Sequence, residues 1–460
     1  MMQGIAFLKE NHPAKAVDSF QKAVELQPDN VGGWVNLSTS CIAAGNFSLA
    51  VEAAKKAIAI SPTLAPAYMM LGDAERESNN HQAAFFAYKK AVDLDRNPLA
   101  LNKFGCAVRE RKLFDQAESL FKEAMSKAPQ FATAQINLLT TYMLQENFHS
   151  ARDVSIQIDA EKFPPLEKNK FFESVSLIDE FFRLAPDLKA LEEGDDRGAL
   201  RDAIAKPLPE TFAIDEELSQ VVEQLACSAR SITSHESKER WTPPAAWPEI
   251  EGLFMIPLID SAQDYLDYTC NRLLSEYTQE QHQASLNMAE VIRRIRRDRD
   301  KLADPIAAEI SLRHWHIEAT RLLDGYLPGH FKYSENLIGS DKEVATSTPV
   351  QTVLTLRNFI ARHYQQLSPG LPRAALVLFV IAHVHPFPDG NGRIAQAWLN
   401  RELEWAGLPV AIFTRPMGFL GELGIALKAV RRQPGNIMPL VKAIQSGQTL
   451  CLKVCKDLER

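Results

Sequence analysis

The sequence predicts an all-α protein, and three observations support that class. Small residues recur at steps of 33 or 34 across the first third of the chain, at Ala16, Ala50, Ala84, Ala117 and Ala151. The apolar run 374–382 has no polar face and is typical of a buried helix. After it, apolar residues return at helical spacing until Gly407, with Pro409 just beyond, which marks the end of a second helix.

The first of these features extends from residue 1 to about residue 165. A second set of small residues keeps the same period, at Ala23, Ala57, Ala91 and Ala124, with large residues at Phe20, Tyr88 and Phe121. Small residues let two helices of a hairpin approach closely, and large ones fill the space between hairpins. This pattern resembles tetratricopeptide repeats. The resemblance implies a stacked solenoid whose groove binds a protein or peptide. An alternative is that the repeats only dimerise or brace the rest of the chain.

The repeat fades after this array, and we expect four parts along the chain. The array covers 1–165, and a helical cap and connector covers 166–244, with loops near 192–196 and 207–209 and a helix near 213–231. A second domain covers 245–445. A solvent-facing helix end covers 446–460.

The second domain contains a polar loop between the two core helices described above. The loop runs His385-Pro-Phe-Pro-Asp389-Gly390-Asn391-Gly392-Arg393. Rigid helices that present a short polar loop are a common way to hold a site in one geometry. The loop also leads into a helix N-terminus, where free N–H groups and the positive end of the dipole favour anions.

Each polar residue of the loop has a plausible chemical role. Gly390 and Gly392 let the backbone turn sharply and let a ligand approach. Arg393 is a bidentate phosphate donor, and Asp389 is a suitable carboxylate for Mg²⁺. His385 is able to take a proton from an attacking hydroxyl. Together these residues suggest chemistry at a phosphorus atom of a nucleotide.

At these residues the chain resembles the Fic family, whose signature is H-x-F-x-[D/E]-G-N-G-R-x-x-R. His385, Phe387, Asp389 and the Gly390-to-Arg393 run fall in register, and Asn400 stands where the family has an asparagine near the adenosine. The resemblance implies a protein adenylyltransferase that moves AMP from ATP to a Ser, Thr or Tyr hydroxyl. It assigns His385 as base, Asp389 to Mg²⁺, and the loop amides and Phe387 to the nucleotide and its phosphates.

The chain departs from the signature at its last position, where Gln396 replaces arginine. In the family this arginine helps to hold the terminal phosphate, and in many members it pairs with an inhibitory glutamate. Glu251, followed by Gly252, has a spacing from His385 similar to that of the inhibitory glutamate. Because its arginine partner is missing, we predict weak or absent autoinhibition; the alternative is a plain surface glutamate near a turn.

A short segment ahead of the loop is similar to the family's active-site flap. Leu337, Ile338, Gly339 and Ser340 begin this candidate hairpin, and Lys332 precedes it where arginine is more usual. The resemblance implies that the hairpin pairs main chain to main chain with the target segment. The expected fold is therefore a tetratricopeptide solenoid followed by a helical Fic domain, with β structure only at this flap.

Several alternatives remain open from the sequence. A Gly-Asn-Gly turn is by itself an ordinary loop, and His383, His385 and Asp389 could instead form a Zn²⁺ or Fe²⁺ site. Because Gln396 alters the phosphate grip, the enzyme could move UMP or a phosphoryl group. It could also run in reverse and remove AMP, with Glu251 positioning water. The last alternative is a scaffold whose Fic domain binds nucleotide without turnover.

Composition limits the remaining classes of function. The formal net charge of −7 argues against general nucleic-acid binding. The basic run from Arg293 to Arg299 contains acidic residues and is best interpreted as a solvated helix face. We find no signal peptide and no long apolar run, and the six scattered cysteines favour free thiols, so a cytoplasmic location is expected. The start of the sequence, Met1-Met2-Gln3-Gly4, resembles the middle of a repeat unit, so we expect a trimmed N-terminus. The sequence does not decide whether the protein forms a homodimer.

Overall fold

Helices dominate the computed structural model, which describes residues 1–194, 197–232, 240–245, 247–255, 279–323, 327–335, 337–338, 344–414, 417–419 and 421–458. The chain divides into two compact units, Met1–Ser174 and Val175–Arg460. Elements are numbered in chain order within the described residues. The first unit contains ten helices that pair as successive hairpins, and an eleventh helix, α11 (Pro165–Gly194), begins in it.

The ten helices of the repeat array follow one another with short connections. They are α1 (Met2–Lys9), α2 (Pro13–Leu26), α3 (Val31–Ala43), α4 (Phe47–Ile60), α5 (Ala65–Glu77), α6 (His81–Leu94), α7 (Pro98–Glu110), α8 (Phe114–Lys127), α9 (Ala132–Leu144) and α10 (Phe148–Gln157). All five alanines that gave the period in the sequence are fully or almost fully buried. The predicted helical-hairpin array is therefore confirmed.

Close approach within a hairpin depends on a glycine that faces an aromatic ring. A Cβ added to Gly72 would lie 2.5 Å from Tyr88, and one added to Gly105 would lie 2.7 Å from Phe121. Gly4 faces Phe20 in the same way, at 2.7 Å. Any side chain at these glycines would push the two helices of the hairpin apart, as the sequence pattern predicted.

The turn inside each hairpin repeats with the same period as the helices. One residue per turn has positive φ: Asn11, Gly45, Asn79, Lys112 and Glu146. A left-handed residue just past a helix end is the usual way to close that end. Asparagine side chains cap the helices that follow three of these turns, α4, α6 and α10, by accepting a backbone N–H. The same turn geometry thus continues through the fifth hairpin.

The second unit contains the remaining helices. After the second part of α11 come α12 (Arg197–Ala205), α13 (Glu216–Arg230), α14 (Trp247–Phe254), α15 (Gln279–Arg297), α16 (Pro305–Thr320), α17 (Pro349–Arg362), α18 (Leu371–Val384), α19 (Asn391–Trp405), α20 (Glu422–Arg432) and α21 (Met438–Leu458). Short 3₁₀ segments lie at Ala160–Lys162 in the first unit and at Arg299–Ala303 and Tyr364–Gln366 in the second. The predicted helix near 213–231 corresponds to α13.

The core of the second unit is built around α18. Every residue from Pro372 to Val384 is buried, in agreement with the apolar run that predicted a core helix. α19 packs along α18, and its Trp398 ring lies 5.4 Å from the Trp315 ring of α16. This tightly packed pair of helices fixes both ends of the polar loop between them.

Two very short strands pair in the described part of the second unit. β1 (Leu337–Ile338) and β2 (Val344–Ala345) are antiparallel, with Leu337 opposite Ala345 and Ile338 opposite Val344. Gly339 and Ser340, which the sequence assigned to a flap, lie outside the described residues. The protein is otherwise helical where it is described, so the all-α class holds.

Three sequence expectations need correction. Helix α11 continues to Gly194, so residues 192–194 are not a loop. The expected boundary at 445 falls inside α21, where Cys451 and Val454 are buried against Trp247 and Val410, so this helix end is part of the core. A helix end that packs against core residues is not the solvent-facing tail that its lysines suggested.

The third correction concerns the basic run on α15. The predicted solvated helix face holds for Arg293 and Arg297, which are 42% and 62% exposed, but not for Arg294 and Arg296, which are held in ion pairs within the second unit. Arg294 lies 3.0 Å from Glu318, Arg296 lies 2.9 Å from Glu404, and both arginine side chains are less than one-third exposed. Arg293 and Arg297 pair with Glu290. Carboxylates of the same unit therefore compensate the charge of this run.

The described residues contain no candidate membrane span and no disulfide. None of their helices combines the length and the apolar composition needed to cross a bilayer. Cys41, Cys106, Cys227, Cys451 and Cys455 carry free thiols, as the scattered spacing indicated. Cys270 lies outside the described residues.

Candidate active site

The polar loop begins where α18 ends, and His385 is the residue at that end. Its backbone N–H donates to the Ile381 carbonyl at 3.0 Å, and its φ and ψ of 50° and 62° are left-handed. This conformation turns the chain out of the helix axis and leaves the imidazole half-buried instead of enclosed in the core. A non-glycine residue in this region is strained and commonly marks a functional position.

The charge state of His385 follows from its surroundings. Burial and, to a smaller extent, the nearby Lys332 ammonium lower the pKa of the imidazole to about 4, against the opposing effects of the Ala382 backbone and Asp389. The ring is therefore neutral at pH 7 and has a free lone pair. A neutral, partly accessible imidazole is able to accept a proton from a hydroxyl.

The first turn of α19 lies next to this ring in the chain. Gly390 precedes the helix in a left-handed conformation, φ 78°, and no side chain of the described residues caps the helix. The first N–H groups of a helix have no acceptor within it, and they carry the positive end of the dipole. The amides of Asn391, Gly392 and Arg393 thus lie at the helix N-terminus where the sequence predicted an anion site.

Asn391 holds the shape of the loop with its side chain. Its Oδ1 accepts from the Phe387 backbone N–H at 2.8 Å, and its Nδ2 donates to the Phe387 carbonyl at 2.7 Å. The residue is 2% exposed. The side chain of Asn391 is therefore occupied by the loop, and its backbone amide is the group that the sequence assigned to the phosphates.

Phe387 also has a different role from the one predicted. Its ring is fully buried and stacks on His316 of α16, with centroids 4.0 Å apart and planes 3° from parallel. His316 Nδ1 accepts from the Gly329 N–H at 3.0 Å, and on the other face Phe387 meets Phe331 at 5.2 Å. Phe387 fastens the loop to the core and cannot reach a ligand, so its assignment to nucleotide binding is corrected.

Arg393 and Gln396 are the side chains that continue the site along α19. Arg393 is half-buried, and its Nη2 lies 3.6 Å from the point where a Cβ on Gly390 would be. The guanidinium thus folds back over the glycine turn. Gln396 is 6% exposed, and its Nε2 has no hydrogen-bond partner within the described part of the chain. A buried amide donor without an acceptor is costly unless a ligand or water completes it.

Asp389 is the only carboxylate in the loop, and its side chain is exposed at the rim. Its Oδ1 accepts from the Gly390 N–H at 2.5 Å. One exposed carboxylate beside a phosphate-binding helix end is the donor set that Mg²⁺ accepts, since this ion takes few protein ligands and completes its shell with phosphate and water. The residues present therefore fit a Mg²⁺ ion brought in with a nucleotide.

The alternative zinc or iron site is not supported by the geometry. His383 is 2% exposed, its Nδ1 lies 2.9 Å from the Phe379 carbonyl, and its ring stacks on Phe379. In the described ranges, no three His, Cys, Asp or Glu side chains converge as a metal site would require. His383 is a core histidine, whose pKa burial lowers to about 4.

Glu251 and Asn400 lie together, but not at the loop. Glu251 is fully buried in α14 and accepts from Asn400 Nδ2 at 2.8 Å and from Arg401 Nη2 at 2.7 Å. Asn400 also bonds the Ala411 backbone in both directions, at 2.9 Å. Asn400 is nine residues into α19, about 13 Å along its axis from Asn391.

Two sequence interpretations change as a result. The view of Glu251 as a surface glutamate is wrong, and its inhibitory assignment is not supported because its carboxylate is bound to Arg401 away from the loop. The nucleotide contact predicted for Asn400 is also corrected, since its amide is used to join α14, α19 and the segment after α19. Nothing in the sequence pattern pointed to Arg401 as the partner of Glu251.

The sequence did not reveal three buried side chains that pack against the loop or its neighbours: Arg313, His316 and Lys332. Arg313 Nη1 donates to the Gly329 carbonyl at 3.0 Å, and its guanidinium lies 3.8 Å from the centre of the Phe331 ring. Lys332 is 2% exposed and contacts the backbone on both sides of His385. The departure from arginine at position 332 was the one sequence signal for these contacts. His316 gave no signal, since a histidine inside a helix is unremarkable.

Comparisons with known proteins agree with this geometry. Residues 309–403 match the model described as the Fic/DOC family. Residues 1–65 and 65–98 match models of the tetratricopeptide repeat. The chain therefore carries a Fic-type domain behind N-terminal tetratricopeptide repeats. A Fic/DOC domain indicates transfer of a nucleotidyl or phosphoryl group, and the repeats indicate protein–protein interaction.

Similar proteins are matched over short stretches. Small glutamine-rich tetratricopeptide repeat-containing protein 2 of Mycosarcoma maydis is 31% identical over 109 residues, 24% of this chain and 31% of that protein. The BBSome complex member BBS4 homolog of Drosophila melanogaster is 28% identical over 132 residues, 27% of each chain. The chain thus spans less than a third of either relative. A tetratricopeptide protein of Thermus thermophilus, TTC0263, is 17% identical, covers 38% of this chain and 96% of its own, and has a TM-score of 0.34.

Proposed function

We propose that the protein is an adenylyltransferase that moves AMP from ATP to a Ser, Thr or Tyr hydroxyl of a target protein. The observation that carries this proposal is the neutral, half-buried imidazole of His385 beside a helix N-terminus that no described side chain caps. One group accepts the hydroxyl proton and the other receives phosphate oxygens. Such a pair is suited to in-line attack of an alcohol on phosphorus.

The residues of the loop divide this work. His385 takes the proton of the attacking hydroxyl. The amides of Gly392 and Arg393, with the Arg393 guanidinium, neutralise charge on the α and β phosphates as pyrophosphate leaves. Mg²⁺ held by Asp389 would supply further charge neutralisation. The buried clamp of Asn391 on Phe387 keeps these donors in place before the nucleotide arrives.

The target segment is proposed to add to the short ladder of β1 and β2. A two-stranded ladder has two outer edges, and an extended segment pairs with such an edge through its backbone. Main-chain pairing positions the target hydroxyl and depends little on the target's side chains. We therefore assign target selection to the tetratricopeptide repeats. The repeat surface is accordingly proposed as the part that binds the target or an adaptor.

The test is a labelling experiment with the full-length chain. Purified protein, Mg²⁺ and a cell lysate are incubated with ATP labelled at the α phosphate, and labelled proteins are counted after denaturing electrophoresis. His385→Ala should lower the labelling by at least about 100-fold, since a general base contributes 10²–10⁴. His282→Ala, at an exposed histidine of α15 outside the repeat array, is the matched control and should label normally.

Parallel arms separate the rival activities. Labelling from γ-labelled ATP or from UTP, but not from α-labelled ATP, would replace AMP transfer by transfer of another group. Release of AMP from a modified target would indicate the reverse reaction. Nucleotide binding without any label in either direction would leave a scaffold, and the proposal would fail.

A further inference from the structure

Lys332 forms hydrogen bonds to the backbone on both sides of His385. Its Nζ donates to the Val384 carbonyl at 2.8 Å, and its backbone N–H donates to the Pro386 carbonyl at 2.8 Å. A third bond, Nζ to Thr346 Oγ1 at 2.7 Å, reaches the segment that follows β2. One side chain, 2% exposed, thus connects the candidate base to the segment adjoining the candidate target-binding ladder.

These bonds act where the backbone most needs restraint. His385 is left-handed, and a non-glycine residue in that region persists only if its surroundings impose it. The Val384 carbonyl belongs to the peptide unit before His385, and the Pro386 carbonyl belongs to the second peptide unit after it, so the two bonds restrain the path of the backbone on both sides of His385. The direction of the imidazole then follows from the backbone.

Three titratable side chains influence or face Lys332: Asp215, Glu335 and His385. Asp215, which precedes α13, and Glu335, on the same segment as Lys332, both raise its pKa, whereas burial lowers it more strongly, to about 7. The Asp215 carboxylate is already bonded to Ser347 and to the N-terminus of α13. Within the described residues no carboxylate lies at ion-pair distance from Lys332. His385 is the other titratable group it faces, and the ammonium lowers the pKa of that imidazole.

We propose that Lys332, as an ammonium group, is a positioning residue that holds the His385 imidazole toward the incoming hydroxyl and couples it to the segment after β2. The proposal rests on the proposed function, in which His385 is the base. Charged donors make stronger hydrogen bonds to carbonyl and hydroxyl oxygens than neutral amines do. When the Lys332 ammonium loses a proton, the resulting amine still donates to Val384 and Thr346, but both hydrogen bonds are weaker. The position of His385 should then be less well fixed.

The first test compares Lys332→Met with Lys332→Arg in the full-length chain. Lys332→Met, of similar length but unable to donate, should lower kcat for protein labelling about 100-fold with little change in KM for ATP, as expected when a reacting group is misplaced. Lys332→Arg, which keeps charge and donors, should recover most of the rate. Equal losses in both variants, or a loss confined to KM, would overturn the positioning role.

The second test is the pH profile. Between pH 7 and 9 the wild-type rate should fall as Lys332 loses its proton, because its pKa is about 7. Lys332→Arg stays charged over this range and should hold its rate. Identical profiles in the two proteins would show that the charge at position 332 has no part in positioning.

A matched pair at Thr346 keeps the proposal testable if the Lys332 variants do not fold. Thr346→Val removes the hydroxyl oxygen that accepts from Lys332 Nζ, with little change in side-chain shape, and leaves the bond to Val384 in place. Thr346→Ser retains the hydroxyl. We expect Thr346→Val to lower kcat about tenfold, roughly the effect of one lost hydrogen bond, and Thr346→Ser to stay near wild type. Equal rates in both would contradict the coupling.

A measurement that does not depend on enzyme activity distinguishes failure of this inference from failure of the proposed function. Hydrogen exchange over residues 384–390 should speed up about tenfold in Lys332→Met or Thr346→Val and stay unchanged in α21. If exchange responds but the wild type labels no protein, the positioning role stands and the transferase proposal fails. If exchange does not respond, the positioning role fails whatever the activity.

Discussion

His385 adopts a backbone conformation that its own side chain disfavours. A β-carbon in the left-handed region costs roughly 1–2 kcal/mol relative to the right-handed one. The cost is tolerated because the surrounding bonds, from Ile381, Lys332 and Asn391, determine the path of the chain. The residue that would carry the chemistry is thus also a point of stored strain, which is common at sites that must be held ready.

This strain gives a prediction for two variants that both remove the imidazole. His385→Gly should be more stable than His385→Ala by about 1 kcal/mol, because glycine adopts φ near 50° without steric cost. Urea unfolding followed by tryptophan fluorescence would measure the difference. A His385→Ala variant as stable as His385→Gly would mean that the left-handed turn is absent in solution.

Glu251 shows the opposite use of a charged residue. Its carboxylate and Arg401 are both 0% exposed and lie 2.7 Å apart, with Asn400 completing the site. Arg401 also lies 2.9 Å from Glu404, so it keeps one carboxylate partner when the Glu251 charge is removed. The pair therefore contributes to the packing of α14 on α19 and not to control of the loop.

Replacing Glu251 by Gln should destabilise the protein by about 1.5–3 kcal/mol, the usual cost of losing a hydrogen bond to a charged group, because Arg401 keeps Glu404 as a partner. It should not raise protein labelling. Glu249→Gln is the control, since this exposed neighbour forms a surface ion pair with Arg293, and a change below about 1 kcal/mol is expected there. Strong activation by Glu251→Gln would restore the inhibitory role.

At the scale of elements, the repeat array is organised by its turns as well as by its helices. A residue with positive φ closes each of five hairpins, and only Gly45 among them is a glycine. Lys112 and Glu146 hold the same conformation although their side chains disfavour it. All five turns therefore have the same left-handed backbone conformation, although the residue type at that position differs from one hairpin to the next.

The turn at Lys112 offers a stabilising substitution. Lys112→Gly should raise the free energy of unfolding by about 1 kcal/mol because its φ of 60° suits glycine. The same exchange at Lys90, an exposed position inside α6, should lower it by about 1 kcal/mol. Circular dichroism during urea unfolding would report both, and changes of equal sign would contradict the assignment of the turn.

At the scale of the whole molecule, the second unit buries several neutral histidines. Burial lowers the pKa of His316 to about 3 and of His383 to about 4, from 6.5 in each case. Both side chains are almost fully enclosed, at 0% and 2% exposed. Below pH 6.5 the unfolded chain takes up protons that the folded chain refuses, so stability is full above that pH and falls as the pH decreases.

For these two groups the loss should be about 1.4 kcal/mol each for every pH unit between 6.5 and 5. Tryptophan fluorescence is a suitable probe, since all tryptophans except Trp34 lie in the second unit. His330 and His385, whose pKa values burial lowers to about 3 and about 4, add to the same slope, so His383→Gln should remove only its own share, about 1.4 kcal/mol per pH unit. An unchanged slope in that variant would show that His383 already carries a proton in the folded state.

Much of this architecture follows from local pattern. The 33–34-residue period placed the hairpins, and the apolar run of α18 with the stop signals after α19 placed the loop between two core helices. These predictions succeed because periodicity reports which face of a helix is buried. The Gly-Asn-Gly turn similarly reports a backbone that must bend before a helix N-terminus. Such properties depend on neighbours along the chain.

Only the tertiary structure decided the roles of individual side chains. Phe387, Asn391 and Asn400 match a nucleotide-binding signature in order, yet their rings and amides bind the protein itself. Glu251 finds Arg401, 150 residues away, and Lys332 finds Val384, 52 residues away. Such partners are set by how helices distant in sequence pack together, since burial decides whether a polar group must be satisfied by the protein or remains available to a ligand.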